Sequence, residues 1–204
     1  MVKGISASHL LWTRNGWRKL CPGWRDFNGD GIGVTTVFIG LGSNLGDRSD
    51  FLRRALDALD RGDFTAVEDV SSVFETSPLD VTGEPFLNAV ARIRTSLSAA
   101  ALMEVLIGIE TSLGRERGGK GTLPRTIDLD VLLFGDMKIQ DTLLTVPHPR
   151  MTQRRFVMEP LAELAPGLII PGEVRTAREI ADDLGRRHPD QVVRNLGPVT
   201  PLSS

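Results

Sequence analysis

Two acidic residues, Asp128 and Asp130, interrupt an apolar run, Arg125-Thr126-Ile127-Asp128-Leu129-Asp130-Val131-Leu132-Leu133-Phe134. A period of two predicts a β-strand, with Ile127, Leu129, Val131 and Leu133 on one face and Asp128, Asp130, Leu132 and Phe134 on the other. Carboxylates so spaced share a face, with Cα atoms roughly 6.6 Å apart. Both can reach one hard cation, or two cations that share a phosphate. Like charges this close repel, and a metal would offset the repulsion. The same pair on the wet face of an edge strand would be ordinary, so the strand alone leaves both readings open.

Basic residues bracket the pair. Arg115, Arg117 and Arg125 precede it; Val146-Pro147-His148-Pro149-Arg150-Met151 and then Arg154 and Arg155 follow. One such arginine is usually a solvated charge, but grouped around one strand they suit a polyphosphate carried with magnesium. The acids would hold the metal and the guanidiniums would neutralise the remaining oxygens. The prolines on either side of His148 restrict its backbone and aim a ring that can donate to a phosphate oxygen. Other chemistries lack their residues. Gly40-Leu41-Gly42-Ser43-Asn44-Leu45-Gly46 has no lysine and is not a Walker A loop, and there is no Cys/His cluster for zinc and no nucleophile elbow.

The surrounding periodicities supply the frame. Thr36 to Leu41 reads as a strand, turned by Gly42-Ser43-Asn44-Leu45-Gly46-Asp47 into a helix with Asp47 as N-cap, Asp50 in its first turn and Gly62 at its end. That helix is expected to bury Phe51, Leu52, Ala55, Leu56 and Leu59. Val67 to Glu75 and Pro85 to Thr95 read as strands, the second with Leu87, Ala89, Ala91 and Ile93 inward. Ser98 caps a second helix carrying Leu102, Val105, Leu106, Ile109 and Leu113. With the acidic strand treated as central, the order is strand, helix, strand, strand, helix, strand, a ferredoxin-like βαββαβ sandwich of the α+β class. Two helices cover one face of an antiparallel sheet, and the other is left for a ligand or for C-terminal additions. Those are a loop over Leu143 to Pro149, a helix near Met158 to Leu164, a strand at Leu168-Ile169-Ile170 and a helix near Ala177 to Leu184.

The chain has 204 residues, 41% of them hydrophobic and 25% charged, which fits one core domain with an appendage. A net charge of −2 gives no basic excess for a nucleic-acid partner, and no apolar run approaches membrane-spanning length. The boundaries expected are a leader, residues 1–35, and one folded domain, residues 36–198, that carries the acidic strand. All three tryptophans and the single cysteine, Cys21, fall in the leader. Its Asp26-Phe27-Asn28-Gly29-Asp30-Gly31 is similar to half a calcium loop, but Val37 stands where the bidentate glutamate belongs, so a Gly/Asp turn is expected. Basic residues before Asp26 give it a weak likeness to a transit peptide. The expected location is the cytoplasm, or an organelle if the leader is such a peptide.

Gly42-Ser43-Asn44-Leu45-Gly46-Asp47, Thr76-Ser77-Pro78-Leu79, Phe86-Leu87-Asn88, Pro124-Arg125-Thr126-Ile127-Asp128-Leu129-Asp130 and Val146-Pro147-His148-Pro149-Arg150-Met151 occur in order. Together this pattern closely resembles the hydroxymethyl-dihydropterin pyrophosphokinases of folate biosynthesis, from about Val37 to Pro171. The resemblance implies Mg-dependent transfer of diphosphate from ATP to the hydroxymethyl group of 6-hydroxymethyl-7,8-dihydropterin, with release of AMP. It implies that Asp128 and Asp130 hold two magnesium ions, and that Arg115, Arg117 and Arg125 join them in catalysis. Glu110, Arg115, Arg117, Arg125, Val131, Thr145, His148 and Arg154 would contact ATP. Thr76, Pro78, Leu79, Phe86, Asn88, Asp128 and Phe156 would bind the pterin. Phe86 and Phe156 can sandwich a flat ring and the Asn88 amide can pair with its edge. A monomer acting on small molecules is expected, with dihydropteroate synthase as functional neighbour.

The chain departs from the family pattern at Leu123, where a glycine is usual, and at Gly121, where a basic residue is usual. The run Gly118-Gly119-Lys120-Gly121 would give a loop the freedom to close over ATP. An RNA-binding module of the same topology would need exposed aromatics on its central strands and a basic face. A regulatory domain of this topology would bind the ligands without releasing AMP.

Overall fold

The computed structural model describes residues 33–76, 84–115, 124–191 and 193–199. The leader up to residue 32, with Asp26, Asn28 and Asp30, lies outside the described residues, as do Pro78, Leu79, Arg117, the Gly118–Gly121 run and Leu123.

The expected βαββαβ order is present. Strand β1 (Thr35–Ser43) leads to helix α1 (Arg48–Asp60), strands β2 (Thr65–Val70), β3 (Ser72–Thr76) and β4 (Phe86–Thr95), helix α2 (Ala99–Ser112) and strand β5 (Asp128–Phe134). Asp47 and Ser98 cap the two helices through their side chains. A small hairpin follows, β6 (Ile139–Gln140) with β7 (Thr145–Val146), then helices α3 (Arg155–Leu164) and α4 (Ala177–Arg187) and strand β8 (Val193–Pro198). The main sheet runs β5-β1-β4-β3-β8, with β2 also on β4, and every pairing is antiparallel.

Two apolar layers sandwich this sheet. On one face Val37, Ile39 and Leu41 of β1 pack with Leu52, Leu56 and Leu59 of α1 and Leu102 and Leu106 of α2. On the other, Phe38, Val90, Leu132 and Leu133 pack with Met158 and Leu161 of α3 and Ile180 and Leu184 of α4. The C-terminal additions therefore cover most of the face expected to be open, and only its end near the tip of β1 remains for a site.

Several expectations need correction. The strand expected from Val67 to Glu75 is two segments. Val70 pairs with Ala91 but Phe74 with Asn88, so one residue is extra. The break is at Ser71, whose N–H donates to Val90 O at 2.9 Å and whose Oγ accepts from Val90 N at 3.0 Å. A hydroxyl thus stands in for a backbone acceptor, a bulge that periodicity does not reveal. A second bulge leaves Leu132 as the extra residue, because Phe38 pairs with Leu133 and Ile39 with Val131. Beyond it the faces exchange: Leu133 packs against α3 and α4, and Phe134 joins the α1/α2 layer. The acidic strand is an edge strand, not a central one. Val105 is 37% exposed, Phe51 is only partly buried, and Leu168 to Ile170 makes one isolated bridge, Ile169 with Thr176, in place of a strand. Helix α3 begins at Arg155, so Phe156 stands in its first turn. Strand β8 was not expected, since Asn195, Gly197 and Pro198 weaken a strand signal and are tolerated at a sheet edge.

Candidate active site

The site lies where the C-terminal end of β1 meets the starts of β4 and β5. Gly42 pairs with Asn88 on one side and Asp128 on the other, and Gly40 with Val90 and Asp130. Asp128 and Asp130 therefore share the α3/α4 face, as their spacing predicts. Gly42 forms the floor. A Cβ there would stand 3.4 Å from Asn88 Oδ1 and 3.9 Å from both the Asp128 Cβ and Phe86 Cδ1. Absence of a side chain thus leaves a recess walled by a carboxylate, a carboxamide and a phenyl ring. Asn88, buried, donates through Nδ2 to Thr76 Oγ1 at 2.8 Å, which fixes the amide and turns its oxygen over the recess.

Charge converges beside it. Arg115 Nη1 donates to Asp128 Oδ1 at 2.5 Å and to Glu110 Oε1, and Arg125 Nη1 donates to Asp128 Oδ2 at 2.6 Å. Each oxygen of Asp128 has its own guanidinium. Glu110, 3% exposed, also accepts from the Leu129 N–H at 2.8 Å, tying the end of α2 to β5. Burial works against the Arg115 charge, but Asp128 and Glu110 outweigh it and its pKa rises. Asp130 is pushed up to about 6, first by burial and then by the charge of Asp128. Arg154, in electrostatic reach of both aspartates, lies 5.4 Å from the centre of the Phe156 ring. His148 N–H donates to Leu132 O at 2.9 Å, setting the histidine against the outer edge of β5. Burial, then Arg154 and Arg150, hold its imidazole below the usual value. Its Nδ1 accepts from the Arg150 N–H at 3.3 Å, which leaves Nε2–H as the donor.

The structure thus brings together Glu110, Arg115, Arg125, Asp128, Asp130, His148 and Arg154, with Thr76, Phe86 and Asn88 adjoining. Phe156 enters from α3 beneath Arg154. Thr145 lies on β7, next to the outer side of β5. The Val131 side chain does not join them: it is buried in the α1/α2 layer, so only its backbone faces this region. Sequence reasoning gave no role to Gly42 as a floor or to Asn44, whose signal was their place in the glycine-rich turn.

Among the described residues no group of three or more His, Cys, Asp or Glu is arranged to hold a metal ion. Among those residues the donors at this site are the aspartate pair. Such a pair fits magnesium, which keeps several waters and takes one or two carboxylates together with substrate phosphates. The raised pKa of Asp130 marks a carboxylate short of positive charge, as a cation's ligand would be.

A family model, 7,8-dihydro-6-hydroxymethylpterin-pyrophosphokinase (HPPK), matches residues 38–166. The chain belongs to this family. It is therefore an enzyme of the pyrophosphokinase class. It is 45% identical over 129 residues, 63% of this chain and 77% of the relative, to the 2-amino-4-hydroxy-6-hydroxymethyldihydropteridine pyrophosphokinase of Bacillus subtilis. It is 37% identical over 166 residues, 81% of this chain and 100% of the relative, to that of Haemophilus influenzae. With the folate synthesis bifunctional protein, mitochondrial, of Arabidopsis thaliana it shares 42% identity over 129 residues, 63% of this chain and 23% of that protein. In fold it is similar to a Plasmodium falciparum HPPK-DHPS crystal structure, with TM-score 0.65 and 13% identity. That match covers 79% of this pyrophosphokinase chain, which spans 47% of the Plasmodium chain.

Proposed function

We propose that this enzyme transfers the β,γ-diphosphate of ATP to the hydroxymethyl oxygen of 6-hydroxymethyl-7,8-dihydropterin in folate biosynthesis. The observation that carries the reading is the adjacency of two unlike sites. The Gly42 recess, with Asn88 and Phe86, suits a flat heterocycle with a hydrogen-bonding edge. The Asp128 cluster with Arg115, Arg125 and Arg154 suits a polyphosphate. Asp128 borders both, so a hydroxymethyl arm on the ring would meet the phosphates there.

In this reaction the hydroxymethyl oxygen bonds to the β-phosphorus. The bond from that phosphorus to the α,β-bridging oxygen breaks, AMP leaves with the oxygen, and the hydroxyl proton passes to the Asp128 carboxylate. Asp128 and Asp130 would hold two magnesium ions, which when bound withdraw charge from the phosphoryl oxygens. The chain's own guanidiniums do related work. Arg115 and Arg125 are preorganised on a carboxylate, and Arg154 approaches from α3, where each can neutralise phosphate oxygens. Glu110 orients Arg115, and His148 offers a neutral N–H donor. Thr76 orients Asn88, and Phe86 and Phe156 supply ring faces, with Thr145 and the Val131 backbone at the nucleotide end. Arg117, Pro78 and Leu79 belong to the same reading. No strong base stands among the described residues of the cluster, so catalysis is mainly positioning and charge neutralisation, with Asp128 near the attacking hydroxyl as the proton acceptor.

We further infer a monomer and a functional link to dihydropteroate synthase, which the likeness to an HPPK-DHPS chain supports. No helix among the described residues is long and apolar enough to cross a membrane.

The test is AMP formation from ATP, which is expected to require both magnesium and the pterin. Asp128→Ala is expected to lower turnover by at least about 10³-fold while ATP or pterin still binds measurably. Normal turnover in that variant, or AMP release without pterin, would reject the assignment.

A further inference from the structure

Asn44 follows the last residue of β1 and is 1% exposed. Its backbone N–H donates to Arg125 O at 3.1 Å, and its Oδ1 accepts from Arg125 N–H at 2.8 Å. One asparagine thus clasps both backbone groups of one arginine. Beside it, Ser43 Oγ donates to Thr126 O at 2.5 Å. The β1–β5 ladder ends at Gly42 and Asp128, so these bonds carry the attachment onward to the residues that precede β5.

The attachment has leverage. Arg125 is the residue whose guanidinium holds Asp128 Oδ2 at 2.6 Å. Its side chain is long, and a small tilt of its backbone is multiplied at the charged end. A displacement of about 1 Å can cost about 10²-fold in rate. The choice of side chain is also informative. The Asn44 Nδ2 is buried with no hydrogen-bond partner among the described residues, and a stranded buried donor costs about 1–3 kcal/mol. An aliphatic side chain would avoid that cost but has no acceptor for the Arg125 N–H.

We propose that Asn44 is a positioning residue for the transfer, acting through Arg125. The proposal rests on the phosphoryl-transfer reading above. Asn44→Ala, Arg125→Ala and the double variant of the full chain are compared in kcat/KM for pterin-dependent AMP formation. Asn44→Ala in the native background is expected to lose about thirtyfold or more, and in the Arg125→Ala background less than about threefold, because the group it positions is already gone. A purely structural role would give the same factor in both backgrounds and overturns the proposal. Should Asn44→Ala not fold, Asn44→Ser, whose hydroxyl is too short for the clasp, takes its place in the cycle. Exchange of the Arg125 amide proton is read in parallel by NMR. It is expected to speed up at least about tenfold in the variant while amides of the β1–β4 ladder are unchanged. Unchanged exchange at Arg125 also overturns the clasp. If the native chain forms no AMP, the proposed function falls, and the exchange measurement still decides whether Asn44 holds Arg125.

Discussion

Asp130 carries an electrostatic cost that its neighbours do not remove. Its carboxyl is pushed up to about 6 by burial and by Asp128. In the unfolded chain it titrates near 3.8. A folded-state pKa above the unfolded one means that the folded chain holds the proton more tightly between those values. Its contribution to stability is complete below about 3.8 and is lost as pH rises through about 6. Asp130→Asn is therefore expected to stabilise the metal-free chain at pH 7 by about 3 kcal/mol. That gain should shrink toward pH 4, and magnesium-dependent turnover should be lost. Thermal melts across pH, with an activity assay at pH 7, check all of this. Gly42 serves space where Asp130 serves charge. Its φ is not in the left-handed region, so Gly42→Ala is expected to fold normally. The new methyl would meet Asn88 Oδ1 at 3.4 Å and should raise the KM for pterin about tenfold, with the KM for ATP changing much less. Equal changes in both constants would count against a ring seated over Gly42.

Strand β8 shows how a weak segment supports a site. Its residues pair with β3, Val193 opposite Thr76, and Thr76 in turn fixes the Asn88 amide. Val199, just beyond it, reaches the α1/α2 layer. A chain ending at Gln191 would leave β3 as an unpaired edge. Such a truncation is expected to lower the melting temperature by several degrees and to weaken pterin binding more than ATP binding. Calorimetry and binding titrations check it. Helix α3 couples differently. Arg155 donates to the His188 and Gln191 carbonyls at 3.2 and 2.8 Å, which anchors the first turn between Arg154 and Phe156. The helices and strands themselves were readable because their signals are local: Asp47 and Ser98 as caps, the apolar stripe of α1, the alternation of β4. The two bulges and β8 were not. Each arises because a residue far along the chain supplies the partner: Val90 for Ser71, Phe38 for Leu133, Thr76 for Val193.

Taken whole, the molecule is a sheet with helices on both faces, open at one end. The helices α3 and α4 fill the surface on which a single-stranded nucleic acid would lie in a related topology, and the paired aspartates would repel its phosphates. ATP with magnesium is expected to raise the melting temperature by several degrees at ligand concentrations well above Kd, and single-stranded RNA to leave it unchanged. Stabilisation by RNA instead would overturn the small-molecule reading.

Spacing along the chain was enough to put Asp128 and Asp130 on one face, because alternation in a strand is a property of the local backbone and holds whatever pairs with it. It was enough, too, to mark the arginines and histidine around them. It did not show that the strand lies at the sheet edge, that Asp128 is shared by Arg115 and Arg125 while Asp130 has no such bond among the described residues, or that Asn44 grips a residue 81 positions away. Burial, pairing and shifted pKa values are sums over neighbours brought in from distant parts of the chain, and they exist only once the sheet is assembled.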